Sequence, residues 1–339
     1  MKMLIVVPLL AAFPGPSAEE IALLNARTHG AEAKECLHVV DQDGLPVAGA
    51  TVRGGLQTGS GRNDSIPIRG STDTNGGFVI KGKCAEMMRC SITKAGYYMS
   101  EFRIDDYGHT HQLENGKWLP YGTGRIVVLK QMLNPKPMPC HNSLTSFKIP
   151  VYGEWLGFDF QKYDFVSPHG VGSEKDVLFR FNLDNPSRGD YHMTMEVSFT
   201  NSPFAGAYEM TCDANSELKS VYNADTNAIY RQYLVYRYDK YPDKVGKYSG
   251  FLSNDKYLVF RTRTKVDAEG RLVSALYGKI YGDWNFVGPG GMNMAQFVFN
   301  ITPNDTNLED LETAERSRML QRQREEPPYR KKRKSLWPF

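Results

Sequence analysis

The stretch Val40-Asp-Gln-Asp-Gly-Leu-Pro-Val-Ala-Gly-Ala-Thr-Val52 places turn-forming residues between two runs of small and β-branched apolar residues. Asp side chains accept hydrogen bonds from nearby backbone N–H groups, and glycine adopts positive φ without steric cost, so Asp41–Gly44 predicts a turn. Pro46 cannot donate to a sheet ladder and fits the first position of a strand. The stretch therefore predicts a hairpin connection between two β-strands.

The same alternation of strand and turn recurs along the first 130 residues. It is found at Ser71–Gly82, at Met88–Ile104 around a Lys-Ala-Gly turn, and at Gly124–Met132. Roughly seven short strands separated by turns within about 100 residues predict a Greek-key β-sandwich. A Gly-, Ser- and Asn-rich insert at 54–70 leaves the third strand undefined.

Four landmarks in this region carry a resemblance to a known family. They are Asp-x-Asp-Gly-x-Pro-Val-x-Gly-Ala at 41–50, Thr-Asp-x-Asn-Gly at 72–76, Lys-Ala-Gly-Tyr at 94–97 and a closing Val-Val-Leu. Residues 35–133 thereby resemble the carboxypeptidase regulatory-like domain, a prealbumin-like (transthyretin-like) sandwich. The resemblance implies an accessory, usually non-catalytic domain, whose relatives include carbohydrate-binding modules.

The region that follows is also rich in strands. A Pro-rich linker is predicted at 134–146, and six alternating or apolar runs between residues 176 and 301 predict a second antiparallel sandwich, jelly-roll-like, over 147–307. The strings at 277–286 and 299–309 resemble the C-terminal part of exported bacterial proteins, and that resemblance implies no activity. The predicted fold class is therefore all-β, with two sandwich domains.

The two ends of the chain differ from the body. Lys2, the apolar run Met3–Phe13 and Pro14 predict a secretory signal peptide over 1–18 with cleavage near Ala18; the alternative is a buried N-terminal segment. Residues 308–339 predict a helix with a thin apolar face, followed after a Pro-Pro pair by a basic disordered tail. These patterns favour a secreted, periplasmic or cell-envelope protein.

The net charge of +3 is unevenly distributed. Residues 315–339 hold nine Lys or Arg and three Glu, a net charge of +6, so the rest of the chain carries −3. A nucleic-acid-binding body is not indicated. The basic tail is instead expected to contact anionic surfaces.

Three carboxylates are candidates for acid–base chemistry. Glycoside hydrolysis needs two carboxylates set about 5–10 Å apart. Glu154, Asp159 and Asp283 lie close in sequence to Trp155 or Trp284, an arrangement common in sugar sites. The alternative is that all three are ordinary turn or edge residues.

Five aromatic residues are candidates for stacking against a sugar ring: Trp118, Trp155, Trp284, Tyr97 and Tyr98. Their alternative role is to fill sandwich cores, and Trp118, in a polar loop, is expected to be the most exposed.

Cysteines and histidines offer weaker signals. Cys84 and Cys90 border strand-like runs and could close a short disulfide loop, or both could be buried thiols. His109-Thr-His111 could begin a metal site but is better explained as loop histidines. Asp41 and Asp73 open sequences like a calcium loop, yet neither has a carboxylate at the twelfth position, so turns are predicted. No metal site and no cofactor are predicted.

The sequence thus favours a non-catalytic exported protein that binds carbohydrate or another envelope protein. The alternative is a carbohydrate-active hydrolase that uses carboxylates of the second domain.

Overall fold

The computed structural model describes residues 15–59, 65–141, 145–187, 189–213, 215–282, 284–286, 290–294 and 296–325. The chain divides by its contacts into two compact units. Unit 1 comprises residues 1–94 and 100–129, and unit 2 comprises residues 95–99 and 130–339. Both units are built mainly from antiparallel strands, which confirms the predicted all-β fold class.

The described part of unit 1 holds two helices and nine strands. The helices are α1 (Ala18–His29) and α2 (Tyr107–Thr110). The strands are β1 (Ala31–Val40), β2 (Thr51–Gln57), β3 (Ser65–Ser71), β4 (Gly77–Cys84), β5 (Met88–Thr93), β6 (Ser100–Ile104), β7 (Gln112–Glu114), β8 (Lys117–Leu119) and β9 (Thr123–Val128).

These strands form the two sheets of a sandwich. In the first sheet, β1 pairs antiparallel with β4 and parallel with β8 and β9, while β7 pairs with β8. The second sheet has the order β3-β2-β5-β6, and β3 overlaps the insert at 54–70, where the third strand was undefined. Alternate side chains on the strands of both sheets are buried, including Leu37, Val39, Val52 and Ile92. This alternation is the one expected when each sheet turns one face inward.

The predicted turns at 41–44 and 73–76 are confirmed by their hydrogen bonds, but the prediction of hairpins is wrong, because the strands that flank each turn (β1 and β2, β3 and β4) lie in different sheets. Asp41 Oδ1 accepts from the backbone N–H groups of Asp43 and Leu45, both at 2.9 Å. Asp73 Oδ1 accepts from Asn75 N at 2.9 Å and Gly77 N at 2.7 Å. Both aspartates therefore serve backbone geometry.

Ala18, the predicted cleavage position, is the first residue of α1. Ser17 caps this helix: its side chain accepts from Glu20 N, and the Glu20 carboxylate accepts from Ser17 N at 2.7 Å. This reciprocal capping box satisfies two otherwise unpaired N–H groups and fixes the start of the helix. The predicted apolar run Met3–Phe13 lies outside the described residues.

The described part of unit 2 holds fourteen strands and one helix. The helix is α3 (Leu311–Glu325). The strands are β10 (Cys140–His141), β11 (Thr145–Lys148), β12 (Trp155–Asp159), β13 (Asp164–Phe165), β14 (Val177–Ser187), β15 (Asp190–Ser198), β16 (Gly206–Thr211), β17 (Tyr233–Lys240), β18 (Lys247–Ser249), β19 (Lys256–Val266), β20 (Leu272–Tyr281), β21 (Asn285–Phe286), β22 (Gly291–Met294) and β23 (Gln296–Asn300).

Two large antiparallel sheets dominate unit 2. The six-stranded sheet has the order β13-β12-β14-β15-β17-β18, and the five-stranded sheet has the order β10-β23-β20-β19-β16. A smaller sheet, β11-β22-β21, accompanies them. One aromatic-rich core joins the inner faces of the large sheets, with Phe179 and Phe181 from the first and Phe260, Phe297 and Phe299 from the second. On the outer face of the six-stranded sheet, most side chains of β14, β15, β17 and β18 are half-buried or exposed.

Segment 134–146, predicted as a linker, carries paired structure instead. Lys136 N donates to Glu309 O, and Lys136 O accepts from Leu311 N. Cys140 pairs with Val298 in the five-stranded sheet. In the described residues 134–141, Lys136 and Cys140 are therefore paired with other parts of unit 2.

Helix α3 is also packed, although the sequence shows only a thin apolar face. Ala314 and Ser317 are fully buried, and the Ser317 hydroxyl accepts from Met99 N at 2.7 Å. Just before the helix, Asp310 Oδ1 accepts from Thr313 N and Asp310 Oδ2 lies 3.3 Å from Lys279 Nζ. The helix packs through small and polar residues, so its burial cannot be predicted from hydrophobic periodicity alone. The predicted basic tail lies outside the described residues.

Candidate functional site

Of the three predicted carboxylates, the structure describes Glu154 and Asp159, which lie at opposite ends of β12 and do not form a catalytic pair. Glu154 is exposed just before β12, whereas Asp159 lies at the end of that strand and is only 1% exposed. Asp283 lies outside the described residues.

Asp159 is a structural anchor. Its carboxylate accepts from the backbone N–H groups of Gln161, Lys162, Ser173 and Glu174, at 2.9–3.1 Å. Burial alone would raise the pKa of Asp159, but these hydrogen bonds and the Arg263 guanidinium outweigh it and hold the pKa below its usual value. A carboxylate saturated with donors and kept ionised is poorly suited to proton transfer.

Arg263 joins Asp159 to a second buried carboxylate, Asp176. Its Nε donates to Asp176 Oδ1 at 2.7 Å, and its Nη2 donates to Asp176 Oδ2 at 2.8 Å and to Asp159 Oδ1 at 3.2 Å. Arg263 has φ 48° and lies at a register shift between β19 and β20, and its partners lie at β12 and just before β14 in the six-stranded sheet. The cluster links β12 and β19 to the residue that directly precedes β14.

Burial excludes three of the five predicted stacking residues from a surface platform. Trp118, Trp284 and Tyr98 are fully buried, and Tyr97 is half-buried. The expectation that Trp118 is exposed is wrong, because its loop folds into α2, β7 and β8 and its Nε1 donates to Cys84 O at 2.6 Å. Tyr98 donates its hydroxyl to Glu309 Oε1 at 3.1 Å, and Trp284 packs edge-on against Phe179.

Cys84 and Cys90 are free thiols, so the predicted disulfide is absent from this structure. Both side chains are buried, and burial raises the pKa of each thiol to about 12. Buried, protonated thiols of this kind behave as small apolar side chains.

The histidine pair does not form a metal site. The ring of His111 stacks on Tyr107 with a centroid distance of 3.9 Å, while His109 lines a shallow polar pocket in unit 1. Across the residues that the structure describes, no group of three or more His, Cys, Asp or Glu side chains is placed to hold a metal ion.

Trp155 is the one predicted stacking residue with a largely open side chain, 40% exposed, and it lies on the outer face of the six-stranded sheet. Antiparallel register places Trp155 opposite Arg180, Arg180 opposite Glu196, and Glu196 opposite Val235. Side chains at these positions point to one face of the sheet because strand residues alternate. Tyr233, two positions before Val235, shares that face and is 47% exposed.

These four residues, Trp155, Arg180, Glu196 and Tyr233, form a contiguous group that we call the aromatic corner. The guanidinium carbon of Arg180 lies 4.7 Å from the Trp155 ring centroid, within cation–π range. Arg180 Nε also donates to Glu196 Oε2 at 2.5 Å. The Trp155 and Tyr233 rings meet at 65° with centroids 6.4 Å apart, an edge-to-face arrangement.

The polar groups of the corner are fixed by one another. Partial burial, and after it the hydrogen bond that Tyr233 makes to Glu196, raises the pKa of the Tyr233 phenol. The phenol therefore stays protonated at neutral pH and serves as a donor. Two exposed rings set at an angle, with a carboxylate and a guanidinium held between them, offer both stacking surfaces and hydrogen-bonding groups.

The sequence did not single out Arg180, Glu196 or Tyr233. The sequence pattern that could have found two of them is the alternation of polar and apolar residues along a strand. Arg180 lies between the buried Phe179 and Phe181, and Glu196 lies between the buried Met195 and Val197. That pattern marks outward residues on a strand, but only strand pairing shows which outward residues are neighbours.

Comparisons with known proteins give no family and only faint likenesses. No family model and no curated protein matches the chain. Among solved structures, the chain is similar to 3-chlorocatechol 1,2-dioxygenase from Rhodococcus opacus 1CP, with 14% identity over 31% of this chain and 62% of that one, and a TM-score of 0.25. It spans about three fifths of the length of that dioxygenase and of hydroxyquinol 1,2-dioxygenase from Pseudomonas putida DLL-E4.

Two further likenesses cover more of the chain. The shaft pilin SpaA from Lactobacillus rhamnosus GG is 10% identical over 82% of this chain and 95% of that one, with a TM-score of 0.22. A candidate carbohydrate-binding protein from Bacteroides uniformis ATCC 8492 is 11% identical over 80% and 99%, with a TM-score of 0.19. Scores this low carry no functional argument.

None of the three helices in the described ranges has both the length and the apolar character needed to cross a membrane.

Proposed function

We propose that this chain is a non-catalytic binding protein whose six-stranded sheet in unit 2 binds carbohydrate at the aromatic corner. The observation that carries the proposal is the pairing of Trp155 and Tyr233, both exposed, with the Arg180–Glu196 ion pair on one sheet face. The apolar face of a pyranose packs on a flat aromatic ring, and its hydroxyls donate to carboxylates and accept from guanidinium groups.

Rigidity supports this assignment. The four residues stand on strands β12, β14, β15 and β17, which are adjacent in the sheet, and the inner face of that sheet is anchored in the aromatic core. Residues on paired strands lose little conformational freedom when a ligand binds, so little of the binding free energy from weak polar contacts is offset by lost entropy.

The hydrolase alternative has little support in the described residues. Asp159 is committed to backbone donors and to Arg263, and Glu154 is an exposed residue at the opposite end of β12. Unit 1 is proposed as the accessory carboxypeptidase regulatory-like sandwich that its turn motifs resemble. Export to the envelope or beyond is likewise proposed from the N-terminal pattern, and a second envelope protein is the other partner class.

A glycan array followed by titration calorimetry tests the proposal. We expect the full chain to bind one or more array glycans, and Trp155→Ala and Tyr233→Ala each to weaken that binding by about tenfold or more, since loss of an aromatic contact removes on the order of 1–2 kcal/mol. Phe204→Ala is the matched control, because Phe204 is a similarly exposed aromatic of unit 2 outside the six-stranded sheet. Binding that is equally lost in the control, or an array with no signal, would overturn the proposal.

A further inference from the structure

A second polar and aromatic group lies on the same sheet face, at the far end of β15 from the aromatic corner. His192 Nδ1 lies 2.9 Å from Asp239 Oδ1, and the His192 ring meets Tyr241 edge-on with a centroid distance of 5.2 Å. Tyr241 is 42% exposed. Asp190 approaches His192 Nε2 at 3.5 Å. We call His192, Asp239, Asp190 and Tyr241 the distal cluster.

Register places both groups on one continuous surface. His192, Thr194 and Glu196 alternate with the buried Met193 and Met195, so the three polar side chains share the outer face. Glu196 and His192 are four positions apart, or about 13 Å at the strand rise of 3.2–3.4 Å per residue. That separation exceeds the length of one pyranose ring and suits a short run of linked sugars.

The outward side chains of the sheet between the two groups are polar. Thr194 lies opposite Asn182 on β14 and opposite Arg237 on β17. Asn182 and Arg237 are exposed, and Arg237 lies opposite Ser249 on the edge strand β18. Hydroxyl, amide and guanidinium groups in one row can hydrogen-bond to sugar hydroxyls along a chain.

The charge of this face indicates whether it suits a neutral or an anionic oligosaccharide. The outward positions of β14, β15, β17 and β18 carry three cations and four carboxylates, a net charge of −1. The cations are Arg180, Arg237 and Lys247, and the carboxylates are Asp184, Asp190, Glu196 and Asp239. Arg180 is already paired with Glu196, and Lys247 lies opposite Asp239. A polyanion would meet little net attraction on such a surface.

We propose that the face binds a neutral linear oligosaccharide laid along β15, with one end on the aromatic corner and the other on the distal cluster. This inference rests on the proposed function and adds the ligand class, its length and a second subsite. Each subsite contributes to one binding event, so affinity is expected to increase with chain length until both are filled.

Calorimetry of the full chain against size series of neutral gluco-, xylo- and manno-oligosaccharides, from two to six sugars, tests the inference. In the series that binds, we expect affinity to rise by about tenfold or more between the disaccharide and the tetrasaccharide and then to level off. Tyr241→Ala and His192→Gln should remove most of that rise and leave disaccharide binding unchanged. Phe204→Ala should alter neither.

The outcomes separate this inference from the proposed function. Affinity that is already maximal at the disaccharide, with Tyr241→Ala neutral and Trp155→Ala still harmful, would overturn the two-subsite inference alone. A preference for sulfated or uronate oligosaccharides over the neutral series would also overturn it. If Trp155→Ala left the affinity for every glycan unchanged, the proposed function itself would be overturned.

Discussion

Replacing Arg263 by leucine should destabilise unit 2 strongly. Arg263 is 24% exposed at the side chain and makes three charge-assisted hydrogen bonds to two carboxylates that are at most 1% exposed. Removing one partner of a buried ion pair costs about 3–5 kcal/mol, because a charge is left buried without compensation. Asp159 keeps four backbone donors, whereas Asp176 keeps only Phe160 N at 2.8 Å and the more distant Thr262 hydroxyl at 3.5 Å. Most of the lost free energy of unfolding therefore comes from the uncompensated charge of Asp176. Because Arg263 is partly exposed, we expect a loss near the lower end of the 3–5 kcal/mol range, at about 3 kcal/mol.

The pH dependence of this loss gives a sharper signature. Burial raises the pKa of Asp176 even with Arg263 present, and removing the guanidinium raises that pKa further. A carboxyl whose folded pKa exceeds its unfolded pKa gains stability from protonation as the pH falls through the folded value. The deficit of Arg263→Leu relative to the unmodified chain should therefore be largest at neutral pH, where Asp176 is ionised, and shrink as the pH falls through the raised pKa of Asp176.

Amide hydrogen exchange read by mass spectrometry on peptides from β12 and β14 measures the effect. A loss of about 3 kcal/mol corresponds to exchange roughly 10²-fold faster, since 1.4 kcal/mol is a factor of ten. Arg271→Leu is the matched control: its side chain is 73% exposed and pairs with Asp267 at a hairpin, so a change below about 1 kcal/mol is expected. Equal effects of the two variants, or a deficit that grows as the pH falls, would refute the reasoning.

Two other predictions concern unit 1. Trp118→Phe should destabilise unit 1 by about 1–3 kcal/mol, because Cys84 O loses its indole donor and the smaller ring leaves space unfilled. Calorimetry should show no such loss for Trp155→Phe, since Trp155 is exposed. Equal losses in the two variants would argue against burial of Trp118. Cys84 and Cys90 should react with a thiol reagent at pH 8 only after unfolding, since a pKa of about 12 leaves little thiolate. In urea without reductant, all five cysteines should react with the reagent. Only three reactive thiols under those conditions would indicate a disulfide.

The sequence predicts the turns and the fold class well because both depend on local chemistry. Asp41–Gly44 and Asp73–Gly76 are turns for the reason their residues suggest, namely side-chain oxygens that accept neighbouring N–H groups. Helix α1 was not predicted: the sequence indicates a signal peptide that ends near Ala18, whereas Ser17 and Glu20 form a capping box for a helix that begins at Ala18. Alternation of apolar residues gave the strands of unit 2 for the same local reason.

Burial of individual aromatic residues could not be predicted in the same way. Trp118 lies among polar residues, yet folding of α2, β7 and β8 buries its ring and supplies a carbonyl for its indole. Trp155 differs from Trp284 because strand β12 turns it to the outer face, whereas Trp284 packs against Phe179 and Tyr236. Exposure here is set by pairing between distant strands, which composition and spacing do not record.

Packing through polar groups was also hidden. Helix α3 buries Ser317 and Gln321, whose side chains hydrogen-bond to the backbone of residues more than 200 positions earlier. A hydrophobic pattern treats such residues as solvent-facing, so the helix looked unanchored. The aromatic corner was missed for a related reason, because its four members come from four strands spread over about 80 residues.

Hydroxyl-radical footprinting of the full chain, with and without the neutral oligosaccharide that binds best, tests the central claim most directly. Oxidation of Trp155 and Tyr233 should fall on binding, while Phe204 stays reactive and the buried Trp118 and Trp284 stay unreactive in both states. Unchanged oxidation of Trp155 and Tyr233 at saturating glycan, or protection confined to residues outside the six-stranded sheet, would contradict the assignment of this face as the binding site.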